Sequence, residues 1–435
     1  MPHLSIPRSA SSDRAEIWVA ALNEPDAPAE LHVGGVVHPV PGAWQRWASP
    51  DGSLRLRHQA VTIPGLAARQ RYLVELRVGG QLEEWCEVTT LPARLPAVGE
   101  HPLTVMLGSC FCRLSDEQGD SGTRYARIPA GARPDLNILC GDQIYLDSPW
   151  PRFLRPIPRD TLTRALVENY WKTWTHAGGF QEILRRGPNW FLGDDHEFWN
   201  NAPNWSFPAN SLLPGPRAYW LGLARTLYQA FQSPRSTSRF AVGSLSFFLA
   251  DTRINREEGR QRFMAPADLT ALGAWVDGLQ APGVLVIGQP VFTSEGSPSE
   301  RLMDLGLADY EQYGELARIL YRARHTLLIL TGDVHFGRVA RCSLPSGAEL
   351  IEIISSPLAL VAKNAGGKWQ KAPSRFPAAA LGVPPLEIQT HGFEARADHF
   401  LTLEFQGVGN EVRLEVFHWP IAGTDRESVF DRRLR

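Results

Sequence analysis

Short, predominantly apolar runs past residue 102 constrain this chain more than any other feature: Leu103–Leu107, Leu136–Leu139, Trp190–Leu192, Leu245–Ala250, Val284–Ile287 and Thr326–Leu330. A strand that is apolar on consecutive residues, instead of every second one, is covered on both faces. Helical stretches lie between several of the runs, at Thr161–Thr175, Ala218–Phe231, Pro266–Gly278 and Asp309–Arg324. Buried strands alternating with helices predict an α/β fold, a layered β-sheet core flanked by helices. Leu350–Ile354, Phe400–Phe405 and Glu411–Val416 read as antiparallel additions near the end.

The runs also end alike. They lead into Gly108-Ser109-Cys110, Gly141-Asp142-Gln143-Ile144-Tyr145-Leu146-Asp147 and Gly193-Asp194-Asp195-His196-Glu197-Phe198-Trp199-Asn200-Asn201, then Ala250-Asp251-Thr252-Arg253 and Thr331-Gly332-Asp333-Val334-His335-Phe336-Gly337. Carboxyl ends of strands form the ligand crevice of an open α/β sheet. Taken singly, a Gly-Asp after a strand is a turn with an Asx cap, and Cys110 is a small core residue. His325, His391 and His399 belong to no motif and read as structural. Repetition at one edge is another matter: clustered carboxylates repel and raise one another's pKa, so they call for cations.

Ahead of the runs the rhythm differs. Glu16–Leu22, Leu31–Val37, Ser53–Ile63, Gln70–Val78 and Glu83–Thr89 alternate or are β-branched, punctuated by Pro-Asp, Gly-Gly and Asp-Gly pairs. In VTIPGLAARQRYLVELRV, Tyr72 opens a strand after a turn, as in the tyrosine corner of immunoglobulin- or fibronectin-like sandwiches. A small all-β sandwich over 1–95 is expected, then the larger unit over 96–435. The proline-bearing stretch Leu91–Pro102 reads as the linker.

Two units also suit 435 residues, more than one core usually spans. A net charge of -2 provides no obvious face for a nucleic-acid backbone, and no apolar run is long enough for a membrane span. The cysteines number 5, odd and scattered, which argues against a disulfide framework and for a reducing compartment. The opening MPHLSIPRSASSDRAEIWVAAL has no apolar h-region, so no signal peptide is read. A cytoplasmic location is expected, or a periplasmic or secreted one if a leader was trimmed. Oligomeric state is not legible.

In order, GSC, GDQIYLD, DDHEFWNN, the DTR ending at Arg253 and GDVHFG resemble the blocks of the calcineurin-like metallophosphoesterases in their alkaline-phosphatase-D (PhoD-like) branch. The match runs from about Pro102 to the C-terminus, and a leading β-sandwich also suits that family. The resemblance implies a phosphoric ester hydrolase, of alkaline phosphatase or phosphodiesterase type, acting through a metal-activated water at a multinuclear site. Its substrate would be a phosphate-ester small molecule or a phosphodiester. Asp142 would bridge the metals, with Cys110 as thiolate and Tyr145 as phenolate on the first. His335 would stand at the second His of the superfamily's GHxH block and Asp333 at the first. Asp195 would replace the ligating Asn of GNHE, with Asp194 or Asn201 adding an oxygen, and His196 would act as general acid or transition-state hydrogen bonder.

Where a further metal His would follow a buried strand, this chain has Gly288-Gln289-Pro290. Thiolate and phenolate suit Fe3+, and the surplus of hard oxygens suits Ca2+, as the branch implies; Zn2+, Mn2+ or Mg2+ would also tolerate a mixed site. Arg253 or Arg256 would clamp a phosphoryl oxygen or form a surface salt bridge. Trp171, Trp174, Trp199, Trp205, Trp220 and Trp369 would wall the cleft or, for most, fill the core. Two rival readings remain: a thiol hydrolase with Cys110 as nucleophile and His196 or His335 as base, and a non-enzymatic binding protein on a retired phosphatase scaffold.

Overall fold

A computed structural model describes residues 2–116, 118–206, 208–298, 301, 305–359, 371–377 and 382–435; Trp369 lies outside them. The apolar runs are strands of two sheets. A six-stranded sheet has the order Asn189–Leu192, Leu136–Cys140, Leu103–Gly108, His399–Val408, Glu411–Pro420, Glu427–Leu434. Its first three strands are parallel and the rest antiparallel. A seven-stranded sheet has the order Thr237–Val242, Leu245–Ala250, Gly283–Ile287, Leu327–Thr331, Glu349–Ile354, Gly337–Ser343, Gln389–Ala395.

Alternation within each run explains its continuous apolarity. Leu103, Val105 and Leu107 join Leu136 and Ile138 in a core shared with Phe247, Leu249, Val284, Val286, Leu328 and Leu330 of the other sheet. Residues of opposite parity face helices instead: Met106, Leu139 and Phe191 pack with Arg159–Trp174 and Pro214–Phe231. Phe248, Leu285, Ile287 and Ile329 pack with Pro266–Gly278 and Tyr313–Tyr321. The layers run helix, sheet, sheet, helix, and each inner strand is covered twice. Trp171, Trp174, Trp199 and Trp220 are buried in the helical layer, whereas Trp205 is half exposed beneath the Arg217 guanidinium, 4.2 Å from its ring.

Two strand expectations need correcting. Leu350–Ile354 is not a purely antiparallel addition: Glu349–Ile354 runs parallel to Leu327–Thr331 and antiparallel only to Gly337–Ser343. A hairpin has inserted its second arm into the parallel set, and an apolar run carries no direction. Leu31–Val37 is not one strand either. Ala29–Val33 and Val36–Pro39 pair as a hairpin turning at Gly34-Gly35, with φ of 57° and 82° that glycine adopts freely.

Residues 3–89 form two four-stranded sheets, His3–Ala10, Arg14–Leu22, Arg55–Pro64, Gln45–Ala48 and Val36–Pro39, Ala29–Val33, Arg71–Val78, Gln81–Thr89. The Tyr72 hydroxyl accepts the Ala67 N–H at 2.8 Å and satisfies the turn before its strand. The first sheet is buried twice. Ile17 and Val19 face the sandwich interior, while Leu4, Ile6, Trp18 and Leu56 pack on the helical layer, Trp18 lying 5.5 Å from Phe231. The stretch Leu91–Pro102 is pinned as well: Leu91 and Leu95 are core residues and Ala97 bridges to Gly407. All five cysteines are buried and unpaired. No helix among the described residues is long and apolar enough to cross a membrane.

Candidate metal centre

The strand ends crowd one another, between the sheets at Gly332 and between neighbouring strands at Gly141, and this explains those two glycines before aspartates. A Cβ on Gly332 would lie 2.4 Å from the Ser109 side chain and 2.7 Å from the Cys140 carbonyl. On Gly141 it would lie 2.6 Å from the Asp194 Cβ. Past each glycine the backbone bends sharply. Of eight non-glycine residues with positive φ among the described residues, five are expected site residues: Cys110 (57°), Asp142 (55°), Asn201 (64°), Asp333 (71°) and His335 (49°). Such conformations cost energy and persist where the surrounding structure enforces them, commonly at functional sites.

The side chains so aimed converge. Ligand atoms of Cys110, Asp142 and His335 lie within 4.8 Å of one another, as do those of Asp142, Asp195 and His196, and those of Asp194, Asp195 and Asp333. Asp142 belongs to the first two groups and Asp195 to the last two, so the groups form one chain of sites. The Tyr145 hydroxyl is 3.2 Å from His335 Nε2 and 3.5 Å from Asp142 Oδ2. Cys110 Sγ lies 3.6 Å from that same Oδ2. Asn201 donates its backbone N–H to Asp195, and its side chain is buried beside the group. Every expected ligand is therefore gathered at this edge.

Among the expected ligands, three buried atoms have no hydrogen-bond partner: Asp194 Oδ2, Asn201 Oδ1 and His335 Nδ1. Burial, then neighbouring carboxylates, raises the Asp142 carboxyl well above the usual range. Burial, then Asp142 and Asp333, raises the Cys110 thiol, and burial with Cys110 and Asp142 raises the Tyr145 phenol. His335 is pulled down to about 4 by burial and by His196, which keeps its lone pair available. Orphaned oxygens and a nitrogen beside a buried Asp142 carboxyl held above its usual range fit bound cations, which would satisfy both at once.

Residues the motif reading left without a role complete the site. Asp147 accepts from His196 Nδ1 at 2.8 and 3.0 Å and from the Asn200 N–H at 2.8 Å. Burial alone would lower His196; Asp147, Asp195 and Asp142 overcome it and raise its pKa well above the usual value. The His196 ring lies over Tyr145 with centroids 4.1 Å apart. Glu197 accepts the N–H groups of Asp142, Gln143 and Asp194 at 2.9, 2.8 and 2.7 Å. Gln289 donates to Asp333 Oδ2 at 2.9 Å and accepts from Arg256 at 2.7 Å. Asp147 and Glu197 sat inside motifs already marked, and a carboxylate near a candidate histidine was the available signal. Gln289 occupies the position where the resemblance would place a metal His, and it orients a carboxylate there.

Of the two alternatives for Arg253 and Arg256, a phosphoryl clamp and a surface salt bridge, the second is not what the fold provides. Both residues are buried, at 2% and 3% exposure. Arg253 Nε donates to Asp194 Oδ1 at 2.6 Å and Nη1 to the Ala202 carbonyl at 2.7 Å. Arg256 Nε holds the Thr252 carbonyl at 2.9 Å. The chain folds back from Asp251, whose carboxylate accepts the N–H groups of Arg253 and Ile254, and this turn drives the guanidinium inward.

Two facing sheets with acids and histidines at their strand ends, preceded by a β-sandwich, define a metallophosphoesterase-like α/β fold. The fold is PhoD-like. A solved structure of PhoD superposes with a TM-score of 0.65, covering 98% of this chain and 91% of that chain at 15% sequence identity. At that identity the likeness speaks for the fold alone. No protein-family model and no curated protein matches the sequence.

Proposed function

We propose that this protein is a metal-dependent phosphoric ester hydrolase, of alkaline phosphatase or phosphodiesterase type. The observation that carries this reading is the set of three partnerless buried atoms, on Asp194 and His335 inside the linked Asp/His/Cys groups and on Asn201 beside them. Cys110, Asp142, Tyr145 and His335 would hold one ion, for which Fe3+ is the best match to the soft and phenolic donors. Asp142, Asp194, Asp195, Asn201 and Asp333 would hold one or more harder ions, Ca2+ ahead of Mg2+, Mn2+ or Zn2+. Cations held there would supply Lewis acidity toward water and the phosphoryl oxygens.

The chain's own residues do the rest. Asp147 keeps His196 protonated through Nδ1, so the other ring nitrogen can donate to a leaving or equatorial oxygen. Arg253 positions Asp194 by holding one oxygen and leaving the other turned to the site. Gln289 does the same for Asp333. The thiol rival fares poorly against the geometry: Cys110 is fully buried and its thiol is pushed up, away from the nucleophilic thiolate. We propose also that 1–95 and 96–435 are distinct units, the second carrying the site.

Hydrolysis of chromogenic phosphate mono- and diesters tests the reading. A chelator should abolish turnover and a thiol-alkylating agent should leave it. Turnover that survives chelation and falls to the alkylating agent would establish the thiol mechanism in its place.

A further inference from the structure

We infer that the N-terminal sandwich positions the metal centre, through a buried relay of Arg8, Gln232 and Glu197. This rests on the metal reading above. Arg8, on the first sandwich strand, is 8% exposed, and its guanidinium hydrogen-bonds to backbone carbonyls and not to a carboxylate. Its guanidinium donates to the carbonyls of Ala230 at 2.8 Å, Phe231 at 2.7 Å and Gln232, and lies 4.8 Å from the Trp18 ring and 5.7 Å from that of Phe191. A cation on the last carbonyls of a helix satisfies acceptors that have no partner within the helix. Here the helix is Pro214–Phe231, and the cation comes from the other unit.

The residue fixed at that helix end is Gln232. Its side chain turns inward, and Nε2 donates to Glu197 Oε1 at 3.1 Å and to the Tyr170 hydroxyl at 3.3 Å. Glu197 in turn gathers the amides of Asp142, Gln143 and Asp194. Those amides open the two loops, from neighbouring strands, that carry Asp142, Tyr145, Asp194, Asp195 and Asn201 of the proposed ligands. A second tie runs alongside: Asn189, at the start of the strand leading to Asp194, donates to the Pro7 carbonyl at 2.9 Å. Each link restricts the next, so freeing Gln232 lets Glu197 rotate and loosens both loops.

The test uses the full-length protein after dialysis against a chelator, with Gln232→Met, Arg8→Met, Arg8→Lys and the Arg8→Met/Gln232→Met double variant. Amide hydrogen exchange is followed over 141–147 and 193–197, and Mn2+ affinity is measured by calorimetry. In Gln232→Met, exchange in both loops should speed up while the sandwich strand Arg71–Val78 keeps its rate, and Mn2+ affinity should fall by roughly 2- to 30-fold. Arg8→Lys should recover part of what Arg8→Met loses. The double variant should add little to either single one. If Arg8→Met does not fold, Gln232→Met and Arg8→Lys carry the test. Wild-type loop exchange in folded Gln232→Met overturns the relay, as does unchanged Mn2+ affinity or strict additivity. Should the wild-type chain bind no Mn2+, the metal reading fails, and the exchange rates alone then decide whether the relay exists.

Discussion

Asp142 and His196 are given different roles, although both belong to one group of ligand atoms. Asp142 touches two of the three groups, so Asp142→Asn removes charge from the point they share. That variant should lose metal and essentially all turnover while circular dichroism stays native; metal retained with activity within about tenfold of wild type would refute the bridging role. His196 is held through Nδ1 by Asp147 and is proposed as a proton donor, not a ligand, so His196→Ala should cost about 10²–10⁴ in rate with metal content nearly unchanged. Loss of an ion on that substitution would make His196 a ligand. At this scale the sequence was most legible where a motif repeated: Cys110, Asp142, Tyr145, Asp194, Asp195, Asn201, Asp333 and His335 were all marked, and all meet. What could not be read was orientation. Nothing in Asp-Thr-Arg says that Arg253 turns inward onto Asp194, because that follows from the Asp251 turn.

Elements were legible wherever both faces were apolar, and direction was not, as Glu349–Ile354 shows. His3–Ala10 escaped notice because its second face is covered by helices far along the chain. A buried histidine at the start of a core strand gives this scale its prediction. His399 is fully buried on the strand His399–Val408, and burial pulls it down to about 4 against 6.5 when exposed. Between those values the unfolded chain binds the extra proton, so stability must rise with pH across that window. The contribution is complete above about 6.5 and is lost as pH falls toward 4, and it reaches about 3 kcal/mol. Urea unfolding of wild type and His399→Gln at pH 5 and 7.5 should show the smaller pH difference in the variant. Equal differences would mean that His399 does not report the transition.

Across the whole molecule, the sandwich and the larger unit share more than a linker. Trp18 packs on Phe231, and Leu4 and Ile6 lie in the same cluster as Tyr170 and Trp174. A fragment beginning at Pro102 should therefore expose that face and aggregate, or melt well below the full chain; a soluble fragment with full metal content and turnover would show the sandwich to be dispensable. The change of rhythm in the sequence is the basis of the proposed boundary; the docking was not legible, since it depends on residues such as Arg8 meeting partners more than two hundred positions away. The central claim, that strand ends from two sheets build a cluster of cation sites, has one direct measurement: elemental analysis of the purified full-length protein together with its visible spectrum. Iron with a second, harder metal is the predicted content, and a phenolate-to-iron band that Tyr145→Phe bleaches or shifts is the predicted spectrum. A colourless, active protein free of iron would remove Tyr145 and Cys110 from a ferric site, and an active protein free of every metal would contradict the account itself.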